Sequence, residues 1–334
     1  MAVLARSRSE HFGLRPMDPM KDLKEVADLI EEAFANDLDR SGQNALRELR
    51  WLSRLKPILW WMVTFNPEYS DFLSGFVWEE DGKIVGNITV NQTSPGSQRW
   101  LISNVAVSRE YRRRGIGRGL MYAALELVKE YNGKSVALQV RADNETAKRL
   151  YDSLQFKEIA GTTYLHLNQV TTVQNLPFPK EVLLRPRRFD SLDARMAYSL
   201  ASVATPTATK KEWPLRHHRF RLGLGEQLSN VFRLLIGGTP SAYWVVEENE
   251  RLVGMVNIIG GVLGEKHRIE LIVHPDWRGR LEKPLISRAL QHLYPWRRRS
   301  VSVKHPADHT EGVEAFTESG FCEEQTLIWM KREM

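Results

Sequence analysis

Between Lys21 and Ala35, apolar residues at Leu23, Val26, Leu29 and Ile30 recur every three or four positions among charged ones. That spacing lays one apolar stripe along a helix. A short strand over Phe12 to Arg15 precedes it, and further helix is expected from Gln43 to Trp61, interrupted at Pro57. The period then falls to two. "FLSGFVWEE" and "KIVGNITVNQ" read as strands joined by the turn Asp81-Gly82, and "RWLISNVAV" (Arg99 to Val107) as a third strand. Helical spacing returns at Leu120, Ala124, Leu127 and Val128. "SVALQV" is a fourth strand, "NETAKRLYDSLQ" a helix, and "KEIAGTTYLHL" a closing strand. This order predicts an α+β domain, a mixed-sheet α/β arrangement with helices flanking the sheet.

The same order occurs twice. "GLRPMDPMKDLKEV" is echoed by "LLRPRRFDSLDARM", "EEDGKIVGNITV" by "EENERLVGMVNI", "AVSREYRRRGIGRGL" by "IVHPDWRGRLEKPL", and "LYDSLQF" by "FTESGF". Arg15 and Arg185, Gly86 and Gly254, Arg112 and Arg278, Phe156 and Phe321 pair at offsets that drift only from 170 to 165 residues. A period this long implies two whole domains and not a solenoid. The reading is a first domain over residues 1–168, a linker over 169–181 rich in prolines and polar residues, and a second domain over 182–334.

Composition changes the picture in a few places. Of 334 residues, 42% are apolar and 26% charged, the balance of a chain that buries an ordinary core. The longest apolar run, "PILWWMVTF", is far shorter than the roughly 20 residues that span a bilayer, so no membrane role is expected. "MAVLARSRSEHF" lacks the apolar run of a secretory signal, which makes the cytoplasm the expected compartment. One cysteine, Cys322, allows no internal disulfide and no multi-cysteine metal site, and a buried role is expected for it. The net charge of +6 suits an anionic ligand. Only "YPWRRRSVSVKH" resembles a basic, aromatic-interleaved stripe, which argues against nucleic acid as a partner. A homodimer is left open.

The chemistry concentrates in "VAVSREYRRRGIGRGLMYAALE". A strand, then Arg112, Gly115 and Gly117, then a helix is an anion site described by its parts. Unpaired N–H groups at a helix start point outward, glycines let the backbone approach a ligand, and Arg112, Arg113, Arg114 and Arg118 add positive charge. A diphosphate is the ligand class this suits. "GIGRGL" does not spell the dinucleotide fingerprint, since Met121 stands where the last glycine is needed, and no Gly-Lys-Ser/Thr follows for a Walker motif.

This segment resembles the pyrophosphate-binding motif of the GNAT acetyltransferase superfamily, Arg/Gln-x-x-Gly-x-Gly/Ala after a strand, and "NETAKRLYDSLQF" resembles the motif that follows it. The resemblance runs from about Asp71 to Leu167 and implies two tandem GNAT-like domains, each with a mixed sheet splayed at its middle to admit acetyl-CoA. It implies further that the main chain of Asn104, Val105, Ala106 and Val107 holds the thioester and pantetheine arm. Arg112, Arg113, Arg114, Gly115, Ile116, Gly117 and Arg118 would then hold the diphosphate, with Asn144 capping its helix or bonding the cofactor arm. Tyr151 would be the general acid toward the departing thiolate, unless it is simply another core aromatic. "RWLISNVAV" has no carboxylate where many relatives carry a base, so Glu79, Glu80, His166 or a water held by Asn104 or Ser103 are the candidates, and Asn104 is counted with Tyr151 as catalytic. No metal is implied.

The second copy has Leu281 and Lys283 in place of Gly115 and Gly117, Pro284 at the helix start, and Phe316 in place of Tyr151. One working site, in the first copy, is therefore expected, with the second copy degenerate. The leading reading is an acetyl-CoA-dependent N-acetyltransferase acting on a primary amine of a small molecule or peptide. Protein N-terminal or lysine acetylation and a non-catalytic CoA-binding sensor are the alternatives. Trp51, Trp60 and Trp61 lie where relatives shape the acceptor site, though their helical spacing suits a core equally.

Overall fold

The computed structural model describes residues 13–34, 74–94, 96–171, 175–235, 238–262 and 264–334. The tryptophan-rich segment with Trp51, Trp60 and Trp61 lies outside them. Contacts divide the chain into two compact units. One runs to Val140 and adds Thr146–Glu158 and Trp329–Met334, and the other consists of Arg141–Glu145 and Ile159–Ile328.

In the first unit, β1 (Gly13–Pro16), β2 (Gly75–Glu80), β3 (Lys83–Gln92) and β4 (Arg99–Val107) pair antiparallel in that order, and β5 (Ser135–Arg141) pairs parallel with β4. Helix α1 (Pro19–Phe34) begins earlier than its apolar stripe. Proline at the first helical position loses no needed donor, and the Asp18 carboxylate accepts from the Met20 N–H at 2.9 Å. Val26, Ala27, Leu29 and Ile30 of α1 pack on Val77, Ile84 and Ala106, one face of the sheet. The other face receives α2 (Ile116–Glu130), where a Cβ on Gly86 would come within 3.1 Å of Ile116, Leu120 and Trp78. Helix α3 (Glu145–Ser153) follows β5.

The second unit repeats this order with β7 (Leu183–Pro186), α4 (Ser191–Ala204), α5 (Thr207–Glu212), α6 (Leu224–Leu235), β8 (Ala242–Glu248), β9 (Arg251–Ile259) and β10 (His267–Val273). Then come α7 (Glu282–Leu293), β11 (Val301–Pro306), α8 (Thr310–Glu318) and β12 (Cys322–Glu333). Strand β6 (Lys157–Leu167), the last strand of the first sequence copy, pairs antiparallel with β11 from Leu167↔Val301 to Thr162↔Pro306. The repeat visible in the sequence and the compact units are thus different divisions of the chain.

An ion-pair signature is printed in both copies. Arg15 donates to Asp22 at 2.6 and 2.9 Å and to Glu79 at 2.7 Å, and Arg185 donates to Asp193 at 2.7 and 2.8 Å and to Glu247 at 2.7 Å. Each tie joins the first strand, first helix and second strand of its copy. Cys322 departs from expectation. It is exposed at the start of β12, in a run with Glu323 and Glu324 that follows the buried Phe321.

Behind the helix start of α7, Glu282, His309 and His305 form a buried chain, with Glu282 Oε1 2.8 Å from His309 Nε2 and His309 Nδ1 3.0 Å from His305 Nε2. Burial, then His309, then Arg278 hold the His305 imidazole down at about 3. Its folded value lies below the ordinary 6.5, so the unfolded chain binds the proton more readily. The stability it confers is complete above about pH 6.5 and is lost as pH falls toward 3. Urea midpoints for the His305→Leu chain are therefore expected to fall less between pH 7 and pH 4.5 than those of the wild type.

Candidate active site

The ladder between β4 and β5 ends at Ile102↔Leu138, and just beyond it β4 bulges. Ser103 pairs with Thr89 and Ala106 with Asn87, so Asn104 and Val105 together oppose one residue of β3, and Asn104 sits in the left-handed region at φ 51°. Asn87 Nδ2 donates to the Asn104 carbonyl at 3.1 Å, and Asn104 Nδ2 donates to Thr89 Oγ1 at 3.3 Å. Ala106 faces the α1 side of the core and offers the site only its main chain.

After Val107 a 3-10 turn, Arg109–Tyr111, leads into the arginines. Their side chains build the loop first. Arg112 Nε donates to the Val107 carbonyl at 3.0 Å, Arg114 donates to the Glu110 carbonyl at 3.2 Å and stacks 4.8 Å above the Tyr111 ring, and Arg118 donates to Ser153 Oγ at 3.0 Å. Arg113 and Gly115 take left-handed backbone, at φ 65° and 82°. Ile116 is buried and pins the helix start, leaving only its N–H for a ligand. Among the described residues, none of the main-chain N–H groups from Arg113 to Arg118 has a backbone or side-chain acceptor. This row of open donors at the positive end of α2, amid exposed arginines, is what an anion requires.

Each glycine has its own reason. A Cβ on Gly117 would lie 3.6 Å from Leu150 and 3.8 Å from Val107, so α3 passes beside the loop. One on Gly119 would lie 2.8 Å from Trp78, so only glycine lets α2 seat on β2. Tyr151, one residue on from Leu150, is 6% exposed, with its ring 6.1 Å from that of Phe156. Burial alone pushes its phenol up to about 12, further from a thiol's 8.5 than an ordinary tyrosine. Asn144 is exposed on the Arg141–Glu145 segment of the second unit, where its N–H donates to the Arg141 carbonyl at 3.1 Å.

Of the base candidates, Glu79 is held by Arg15, and because Glu247 repeats that pairing the contact belongs to the fold. Glu80 accepts from Trp78 Nε1 at 3.2 Å and lies 3.7 Å from Arg114. His166 belongs to the second unit, 3.2 Å from Glu324. Two residues escaped the sequence reading. Glu32 accepts from Ser108 Oγ at 3.2 Å and from the Arg109 N–H at 3.1 Å, fastening α1 to the end of β4. Asn87 was visible as the one polar residue in the inward-facing run "IVGNI", a position that asks for a specific hydrogen-bond partner.

In the second copy the loop is closed by packing. Leu281 is fully buried at the Gly115 position and right-handed at φ −107°, and Phe316 is fully buried at the Tyr151 position against Phe321.

Residues 31–156 match the model of the Acetyltransferase (GNAT) family. An N-alpha-acetyltransferase of Sulfurisphaera tokodaii is 37% identical over 94 residues, 25% of this chain and 56% of that protein. The [ribosomal protein bS18]-alanine N-acetyltransferase of Escherichia coli is 38% identical over 55 residues, 16% of this chain and 37% of that protein. The chain spans about half the length of several curated relatives it matches, 52–58% for three of them. A GCN5-related N-acetyltransferase structure from Sphaerobacter thermophilus covers 98% of this chain and 97% of its own, at TM-score 0.60 and 17% identity, which speaks to the fold. The bulged β4 parting from β5 and the open N–H groups at the start of α2 both lie within residues 31–156, the segment that matches the acetyltransferase (GNAT) family.

Proposed function

We propose that this chain transfers the acetyl group of acetyl-CoA to a primary amine, in its first unit. The observation that carries the reading is the row of open main-chain N–H groups from Arg113 to Arg118 at the start of α2. These groups, with the local positive charge, would hold the CoA diphosphate. Val105 to Val107, on the strand that leads into the loop, would run along the pantetheine arm. When bound, acetyl-CoA supplies the activated thioester; the chain's own residues orient it and stabilise the charge that develops on its carbonyl oxygen.

Tyr151 is the proposed donor to the departing sulfur. A phenol at about 12 holds its proton at any working pH, so its contribution is a hydrogen bond to the thiolate, with full transfer uphill. Tyr151→Phe is expected to lower kcat about 10- to 100-fold at unchanged KM for acetyl-CoA. The wild-type rate should rise with deprotonation of the amine and show no alkaline decline below about pH 11. A decline near pH 9 that Tyr151→Phe removes would contradict that assignment.

Two of the relatives are an N-alpha-acetyltransferase and a [ribosomal protein bS18]-alanine N-acetyltransferase, and this favours a peptide α-amine over a small-molecule amine as acceptor. A screen of N-terminal peptides beside lysine-blocked and polyamine controls tests it. Turnover only with polyamines would reject a peptide acceptor, and binding without turnover of any amine would reassign the chain as a CoA-binding scaffold. Use of intracellular acetyl-CoA supports a cytoplasmic location for the proposed reaction.

A further inference from the structure

The two copies differ in one feature of the sheet that the loop does not explain. In the first copy β4 carries the bulge at Asn104 and Val105. In the second, β9 and β10 pair without interruption from Gly254↔Val273 to Ile259↔Arg268, and no residue of β10 has positive φ. Gly86 and Gly254 correspond, so Asn87, which pairs with Ala106 beside the bulge and reaches the Asn104 carbonyl with its side chain, corresponds to Met255. The copy with a side-chain amide at this position is bulged, and the copy with a thioether is not.

The geometry gives the link a cause. Asn104 sits at φ 51°, a region that asparagine tolerates better than other side chains but that lies outside strand backbone, so the bulge needs a contact to hold it. Asn87 is fully buried, and its Nδ2 donates to the Asn104 carbonyl at 3.1 Å. No methionine can do this. The donor also fixes the peptide plane. In a trans peptide the N–H of residue i+1 points opposite to the carbonyl of residue i, so the Val105 N–H points away from Asn87. It does so just past Ile102↔Leu138, where β5 has stopped pairing with β4. Among the described residues the Asn87 Oδ1 has no partner, so the amide acts through its donor end.

We infer that Asn87 is a positioning residue: by gripping the Asn104 carbonyl it holds the bulge and aims the Val105 N–H at the thioester carbonyl. This rests on the acetyl-CoA reading of the site. It predicts that Asn87 matters to the acetyl group and not to the diphosphate, which a residue merely supporting the sheet would not do.

The test compares full-length wild type, Asn87→Leu and Asn87→Met by calorimetry with CoA and with acetyl-CoA. Infrared spectra of bound acetyl-CoA, 13C-labelled at the acetyl carbonyl, accompany each titration. The expected result is a CoA Kd within threefold of wild type, at least a fivefold loss of preference for acetyl-CoA over CoA, and a carbonyl band at higher frequency than in wild type. An unchanged band and preference, or equal losses for both ligands, would overturn the clamp alone. Wild type that binds neither ligand would overturn the reading beneath it. A measurement on wild type guards against misfolding of both variants. The Val105 amide resonance should move on binding acetyl-CoA and not on binding CoA, and equal movement would refute the inference.

Discussion

Glutamate at Gly115 and Gly117 together is expected to raise the Kd for acetyl-CoA at least 100-fold in calorimetry while leaving the fold intact. Gly115 sits at φ 82°, where an L side chain costs roughly 1–2 kcal/mol. Its Cβ would meet nothing within 4 Å, and that of Gly117 would make only ordinary contacts with Leu150 and Val107. The added carboxylates project toward the same open N–H groups that the diphosphate needs, and they compete for the donors while repelling the ligand. The wild type should bind one acetyl-CoA per chain. Retained binding in the double variant, or two sites in the wild type, would mean that the diphosphate sits elsewhere or that the second copy binds as well. A melting temperature more than a few degrees lower would mean that the substitutions disturb the fold and not the ligand.

The largest effect on stability is expected from Asp193→Ala. Asp193 is fully buried and accepts from Arg185 at 2.7 and 2.8 Å and from the Arg188 N–H at 2.7 Å. Removing it takes two hydrogen bonds from a guanidinium whose side chain is only 13% exposed, leaves it Glu247 alone and orphans the Arg188 N–H, so the expected cost is about 2–3 kcal/mol, below that of a fully unpaired buried charge. The matching Asp22→Ala should cost less, because Arg15 is 37% exposed and can recover water. Urea unfolding of the two variants orders the effects, and a loss below about 1 kcal/mol for Asp193→Ala would show that the pair is not the tie it resembles.

How much of this was legible depended on where the information lies. The repeat, the strands around Asp81-Gly82 and the helix after Gly117 are written in local periodicity and turn chemistry, so they could be read directly. The bulge at Asn104 could not, because "RWLISNVAV" contains no glycine or proline to mark an irregularity, and the contact that holds it comes from Asn87, which is 17 residues away and meets it only across the ladder. The roles of the arginines were half legible: their charge is plain in the sequence, but three of the four side chains brace the loop through carbonyls or a serine that no spacing rule identifies. Tyr151 was placed by its motif, whereas its elevated phenol pKa comes from burial, a tertiary property. Cys322 was misread because lone cysteines are usually interior, whereas this one opens an exposed run with Glu323 and Glu324 at the start of β12.

The ladder between β6 and β11 bears on how this protein can be cut. A nick in the polar, proline-bearing stretch after residue 168 leaves every strand intact, yet the amino-terminal piece then carries β6 away from the neighbour that satisfies one of its edges. Expressed alone, that piece would present an unpaired strand and tend to self-associate. Expressed beside the remainder, it has a ready complementary edge, so the two halves form a natural split pair whose reassembly, and not either fragment, would restore the native molecule.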